Sequence, residues 1–319
     1  MASFLVTGGA GFIGSNIAKT LLNQGDNVRV LDNFSTGKRE NLKFAGMPPD
    51  LMANLETVEG DITDLATCCK AMDGVQYVFH QAAIPSVPKS VAHPIESNQA
   101  NIDGTLNLLV AARDAGVKRL IFSSSSSVYG NAPGFPRNET IFPDPLSPYA
   151  VQKLTAEHYL RIFYELYGLE TVSLRYFNVF GPHQDPDSEY SAVIPLFVKA
   201  FLTGTQPTVY GDGEQSRDFT YVDNVVYGNL LAIEAEDAPG KVMNLACGGR
   251  LTLNQLLALL RKITGSDVKA IYTDPRPGDV RDSWADITVS EQVLNYETQV
   301  SLEEGLRKAV DYFRIVFQS

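Results

Sequence analysis

Of the fourteen tyrosines in the chain, only Tyr149 has a lysine four residues further on, Lys153. The pair lies in Ser147-Pro148-Tyr149-Ala150-Val151-Gln152-Lys153, behind five consecutive serines, Ser123 to Ser127. A serine followed by proline reads as a helix start, which puts Tyr149 and Lys153 on one face, one turn apart. A phenol is a poor base at neutral pH, with an unperturbed pKa of about 10. An ammonium group a few ångströms away favours the phenolate and lowers that value. The pair is therefore a candidate for taking a proton from a hydroxyl. A surface tyrosine lying along a lysine stem satisfies the same spacing, so the rest of the chain has to decide.

The opening Phe4-Leu5-Val6-Thr7-Gly8-Gly9-Ala10-Gly11-Phe12-Ile13-Gly14 runs from an apolar strand into a helix. Its glycines Gly8, Gly11 and Gly14 are spaced G-x-x-G-x-x-G. The first permits a tight turn, the second lets backbone approach a diphosphate, and the third lets helix and strand pack closely. The helix N-terminus then faces the anion. Eighteen residues beyond Gly14 the second strand ends in Asp32. A carboxylate there accepts hydrogen bonds from adenosine ribose hydroxyls and repels a 2′-phosphate, which favours NAD over NADP. Gly60-Asp61-Ile62 ends another short segment, placed to contact adenine. His80-Gln81-Ala82-Ala83 ends the fourth strand beside the cofactor, with His80 read as a packed histidine, not a base.

The elements that must hold these residues alternate. Apolar runs at Phe4–Thr7, Val28–Asp32, Tyr77–Gln81, Leu120–Ser123 and Thr171–Arg175 read as strands buried on both faces. Helical spacing covers Ile13–Asn23, Asn101–Ala115 and Tyr149–Tyr167 between them. This is the rhythm of a doubly wound parallel sheet, an α/β Rossmann fold. Beyond about residue 177 the rhythm loosens, with a loop at 182–187, a turn at Tyr210–Gly213, and further helices over Ala192–Leu202, Asn224–Ala235, Leu253–Ile263 and Leu302–Phe317. The expectation is a dinucleotide-binding domain over 1–176 and a smaller α/β substrate lobe over 177–319, with the boundary crossed more than once.

At 319 residues, with 44% hydrophobic and 20% charged residues, the chain reads as a soluble globular protein. Its net charge of −11 argues against a general nucleic-acid or anionic-membrane surface. Cys68, Cys69 and Cys247 fit neither a zinc spacing nor a disulfide framework, and the four histidines form no ligand pattern, so no metal is expected. No stretch approaches the eighteen or so apolar residues of a membrane span. The first strand begins by Ser3, leaving no room for a signal peptide, and a cytoplasmic, reduced setting is expected.

Together, the glycine loop, His80-Gln81-Ala82-Ala83, Ser123–Gly130 and Tyr149-x-x-x-Lys153 resemble the extended short-chain dehydrogenase/reductase family. Within it the chain is most similar to the NAD-dependent nucleotide-sugar 4-epimerases. The likeness covers nearly the whole chain, including Arg175-Tyr176-Phe177-Asn178-Val179-Phe180-Gly181-Pro182, Arg217-Asp218-Phe219-Thr220-Tyr221-Val222-Asp223 and Arg276-Pro277-Gly278-Asp279. The resemblance implies Tyr149 as base, with Lys153 lowering its pKa and binding nicotinamide ribose. It puts the catalytic serine three residues before Val128-Tyr129-Gly130, at Ser125, with Ser124 and Ser126 as neighbouring alternatives in the run. It adds Phe12, Ile13, Asn33, Asp61, Ile62, Gln81, Ala82, Ala83 and Tyr176 to the glycines and Asp32 as NAD contacts. For the substrate it implies Ser86, Ser125, Tyr149, Asn178, Val193, Tyr210, Arg217, Arg276, Asp279 and Ser283. Here Arg217 and Arg276 clamp the diphosphate, and Asp279 holds a uridine ribose hydroxyl.

The implied reaction inverts C4 of a UDP-hexose. Tyr149 takes the 4-hydroxyl proton, hydride passes to nicotinamide, the 4-keto sugar turns about its anchored diphosphate, and hydride returns to the other face. Dehydratases of the family carry an Asp-Glu pair where this chain has Ser126 and Ser127, and the related decarboxylases usually carry a glutamate there. Uronate epimerases tend to place an arginine near Gly181-Pro182, where His183-Gln184 stands here. A small Ser283, with Gln184-Asp185-Pro186 and Ser191–Pro195, resembles the epimerases that accept N-acetylated sugars. The expectation is a UDP-GlcNAc/UDP-GalNAc epimerase that also takes UDP-Glc/UDP-Gal. A UDP-uronate epimerase and a non-catalytic nucleotide-binding protein are the alternatives. Homodimerisation, through helices around Asn101–Ala115 and Tyr149–Tyr167, is what the family implies.

Overall fold

The computed structural model describes residues 1–186, 192–275 and 280–318. Seven parallel strands form the central sheet: β1 (Ser3–Thr7), β2 (Asn27–Asp32), β3 (Leu55–Glu59), β4 (Tyr77–His80), β5 (Arg119–Ser125), β6 (Glu170–Tyr176) and β7 (Val242–Leu245). Their spatial order is β7-β6-β5-β4-β1-β2-β3. The order reverses between β1 and β4, and in such sheets a crevice opens at the carboxyl ends of the two strands flanking the reversal. β1 shows why both faces are apolar. Phe4 and Val6 join one core cluster and Leu5 the other, with Leu5 and Val6 wholly inaccessible. Truncating Leu5 to alanine is expected to cost about 2–5 kcal/mol.

Helices cover both faces. On one lie α1 (Phe12–Asn23) and, later in the chain, a helix over Val222–Glu234; on the other lie α2 (Leu65–Met72), α3 (Gly104–Asp114) and α4 (Pro148–Tyr167). The start of α4 agrees with the sequence reading. Pro148 occupies its first turn and the Ser147 hydroxyl accepts the Ala150 amide at 3.2 Å. Gly168, at φ 71°, ends it. The helix expected from Asn101 instead begins as a π-turn over Gln99–Asp103 and becomes α-helical at Gly104.

The chain leaves the sheet after β6 and returns as β7 at its edge. The remaining elements include α5 (Val193–Thr203), the Val222–Glu234 helix as α6, α7 (Leu253–Thr264) and α8 (Leu302–Gln318). Short pairings stitch them together: Ser216–Arg217 runs between Leu251–Thr252 and Asp282–Ser283, and Thr208–Tyr210 pairs with Ile271–Thr273. Among the described residues no helix is long and apolar enough to cross a membrane, and no cluster of three potential metal ligands occurs.

Candidate active site

A cleft of about 650 Å³ occupies the crevice at the carboxyl ends of β1 and β4. The turn after β1 forms its floor. Gly8 has a φ of 66°, and a Cβ on it would sit 2.7 Å from the Ala82 nitrogen. A Cβ on Gly14 would sit 2.3 Å from the Gly8 carbonyl oxygen, so α1 can pack this close only with glycine there. Gly11 is the N-cap of α1, and no side chain caps that helix or places an acid in its first turn. The first amides of α1 are thereby left for an outside anion, in the cleft lined by Gly11, Phe12, Ile13 and Gly14.

Asp32 ends β2 and lines the same cleft. Its two oxygens each accept one backbone amide, from Phe34 at 2.8 Å and from Ala10 at 2.9 Å. Burial raises its pKa, and those two bonds oppose the rise. A carboxylate has about four acceptor sites, so lone pairs remain for ribose hydroxyls. Asp61 accepts Asn33 Nδ2 at 2.7 Å, and both line the cleft with Ile62, Gln81, Ala82, Ala83 and Tyr176. The Tyr176 hydroxyl donates to Asn229 Oδ1 at 2.9 Å and accepts Gln81 Nε2 at 3.2 Å. His80 is wholly buried between the Thr7 and Thr105 hydroxyls, at 2.9 and 3.0 Å, and burial pushes its pKa down to about 3. It is a packed, neutral histidine.

The serine run becomes specific in three dimensions. Ser123 Oγ donates to the His80 carbonyl at 3.0 Å, and Ser124 Oγ donates to Glu157 Oε1. Ser125 is the one whose side chain acts on the Tyr149 phenol, pulling its pKa down. Ser125 also accepts the Ser127 hydroxyl at 2.9 Å. Ser123, Ser124, Ser125, Tyr149 and Lys153 all line the cleft.

In the protein alone Lys153 does not bring the phenol below its ordinary value. Burial pushes Tyr149 up to about 12, against a smaller downward pull from Ser125. The Lys153 ammonium lies 5.8 Å from the Tyr149 ring centroid and donates instead to the Ser123 carbonyl at 2.7 Å. Burial pushes the lysine itself down to about 7, with the Glu157 carboxylate pulling it back up.

A second cavity, of about 520 Å³, adjoins the first; Asn178, Val179 and Ala192 line both. Val193, Tyr210 and Arg217 line the second. Asn178, held at φ 35°, donates to the Asp218 carbonyl at 3.0 Å. Arg217 donates to the carbonyls of Ser216 and Arg281, each at 2.9 Å. Two expected substrate contacts do not line either cavity. The Ser86 hydroxyl is used as a helix N-cap, accepting the Lys89 amide at 3.1 Å. Ser283 sits in a short strand in register with Arg217, and its carbonyl accepts the Asp218 amide at 2.8 Å. Arg276 and Asp279 lie outside the described residues. Sequence reasoning did not single out Lys38, which lines the larger cleft and is ion-paired at 2.8 Å with Asp185, itself a lining residue.

A Gly-rich turn at a sheet reversal, an uncapped helix start and a strand-end carboxylate define a dinucleotide-binding α/β protein, and these residues fit NAD. Residues 4–246 match the NAD dependent epimerase/dehydratase family, and the chain belongs to it. Its cofactor is NAD. Among solved structures, the UDP-glucose 4-epimerase of Thermotoga maritima with UDP-glucose is 42% identical, with a TM-score of 0.92 and 99% of each chain covered. A UDP-N-acetylglucosamine 4-epimerase from Methanobrevibacter ruminantium, in complex with UDP-N-acetylmuramic acid, is 43% identical, with a TM-score of 0.93 and 100% and 99% covered. A variant of the UDP-glucuronic acid 4-epimerase of Bacillus cereus, holding NAD and a fluorinated UDP-glucuronic acid, is 33% identical, with a TM-score of 0.89 and 98% and 99% covered.

Proposed function

We propose that the protein is a UDP-hexose 4-epimerase that works on UDP-GlcNAc and UDP-GalNAc and also turns over UDP-Glc and UDP-Gal. The observation that carries this reading is that Ser125, Tyr149 and Lys153 line one wall of a cleft that adjoins a second cavity. One cavity is built for a dinucleotide, and the other presents Arg217 and Asn178 for a diphosphate and its sugar. When bound, NAD would supply a reversible hydride acceptor and positive charge to the cleft. Tyr149 Oη takes the 4-hydroxyl proton and returns it, while Ser125 Oγ hydrogen-bonds the reacting oxygen. Lys153, which lines the same cleft, would hold the nicotinamide ribose. Arg217, together with Arg276, anchors the diphosphate as the sugar turns.

The acetamido preference is supported by Ala192, a small residue that lines both cavities, and by Val193 beside it. It does not rest on Ser283, which lines neither. His183 stands where a uronate-binding arginine is expected, and its Nδ1 is engaged with Ser15 Oγ at 2.8 Å. The same reading includes a 1–176 cofactor domain, a 177–319 substrate lobe, with the boundary crossed again where β7 rejoins the sheet, and a cytoplasmic homodimer. The dimer is supported by apolar side chains that α4 leaves exposed, including Val151, Leu166 and Tyr167. Relative turnover of UDP-GlcNAc, UDP-Glc and UDP-glucuronate by the purified protein tests the substrate assignment. Turnover of UDP-glucuronate alone would replace it with the uronate reading.

A further inference from the structure

Helix α4 carries three polar side chains at one-turn intervals, Tyr149, Lys153 and Glu157, and each meets a different residue at the end of β5. Tyr149 meets the Ser125 hydroxyl, Lys153 the Ser123 carbonyl and Glu157 the Ser124 hydroxyl. Glu157 lies beneath the cleft and does not line it. Its carboxylate also binds the Arg175 guanidinium in a fork, at 2.9 and 2.7 Å. Arg175 stands on β6 directly opposite Ser124 in the sheet register, and lies 4.7 Å over the Tyr129 ring. Tyr129 closes the turn that follows the serines. All three of Ser124, Glu157 and Arg175 are at most 4% exposed. The charged groups facing Glu157 are thus Arg175 from the neighbouring strand and Lys153 from its own helix.

We infer that Glu157 is a positioning residue: by gripping Ser124 while paired to Arg175, it fixes the end of β5 so that Ser125 is presented to Tyr149. The inference deepens the epimerase reading and rests on it for the role of Ser125. A buried ion pair contributes little net stability, but a forked carboxylate fixes geometry, and the geometry it fixes here is one residue from the reacting oxygen. The serine run follows from this arrangement. Ser123, Ser124 and Ser125 each have a separate partner, so none is a spare copy of another.

The test uses the full chain with its NAD retained. Wild type, Ser124→Ala, Glu157→Asp and the double variant are each prepared beside a counterpart that also carries Tyr149→Phe. The difference between the two isolates the phenolate absorbance of Tyr149, which is titrated without sugar; kcat and KM are measured separately. Ser124→Ala leaves the Glu157–Arg175 pair whole, and Glu157→Asp keeps the charge but shortens the reach. Each is expected to raise the Tyr149 midpoint by roughly half a pH unit or more, as the downward pull of Ser125 is lost. Each should lower kcat about tenfold while KM stays within about twofold. The double variant should be no worse than either single one, because both act through one bond. Wild-type midpoints and kcat in both single variants, or losses that add in the double variant, would overturn the inference. If the wild type turns over no UDP-sugar, the epimerase reading fails, and the Tyr149 midpoint alone still decides the role of Glu157.

Discussion

The buried ammonium of Lys153 donates to the carbonyl oxygen of Ser123 at 2.7 Å, and not to the phenol one turn back on its own helix. Lysine and tyrosine thus share a helix face without sharing a proton. The protein alone holds Tyr149 as a neutral phenol, pushed up to about 12 by burial.

Burial of that lysine has a consequence for stability. Its pKa falls to about 7 in the fold, against roughly 10.4 in the unfolded chain. Between those values the unfolded state binds the extra proton, so stability rises with pH. After removal of the nucleotide, the wild type is expected to gain about 1 kcal/mol per pH unit relative to Lys153→Met between pH 7.5 and 9. Urea unfolding at several pH values measures this, and parallel curves would contradict it.

His80 acts on the acid side. Its folded value of about 3 lies below the ordinary 6.5, so the folded state resists protonation while the unfolded state accepts it. Stability present above about pH 6.5 is expected to be lost as pH falls towards 3, at roughly 1.4 kcal/mol per unit at most. Replacing His80 with asparagine should flatten that part of the curve in a thermal-melt series.

Gly14→Ala is expected to remove NAD before it removes the fold. The added Cβ would sit 2.3 Å from the Gly8 carbonyl, so α1 must move away from the turn that faces the diphosphate. Nucleotide released on heat denaturation should fall from near one per chain to below about a tenth, a loss of roughly 2.5 kcal/mol or more in binding. Near-stoichiometric NAD in this variant would show that the turn is not the diphosphate site.

Tyr149→Phe and Ser125→Ala separate chemistry from binding. Each should keep its NAD, while kcat falls about 100- to 10,000-fold for the tyrosine and less for the serine. Ser126→Ala should stay near wild type, since it is Ser125 that meets the phenol. A larger loss at Ser126 than at Ser125 would reassign the catalytic serine.

The parts legible in the sequence were those with local signatures. The apolar run into Gly8, the Ser147-Pro148 helix start and the Tyr149–Lys153 spacing each depend on residues a few places apart. What escaped was set by distant partners or, at Ser86, by a local use of the side chain. β7 is only four residues long and is a sheet strand because it pairs with β6. Ser86 was expected at the substrate, but its hydroxyl satisfies a local helix end, an alternative open to any serine. Glu157 lay within an expected helix, yet its grip on Ser124 and Arg175 depends on two other strands. The pKa of Tyr149 in the protein alone was not legible, because spacing gives proximity along a helix while desolvation depends on everything packed around it.

Proton NMR of the purified protein, incubated separately with UDP-GlcNAc and UDP-Glc and without added NAD, tests the proposed activity most directly. Signals of the corresponding galacto epimers should appear in both reactions, faster with UDP-GlcNAc, which would establish C4 inversion and a retained cofactor. No epimer from either sugar, even after NAD is supplied, would contradict the assignment.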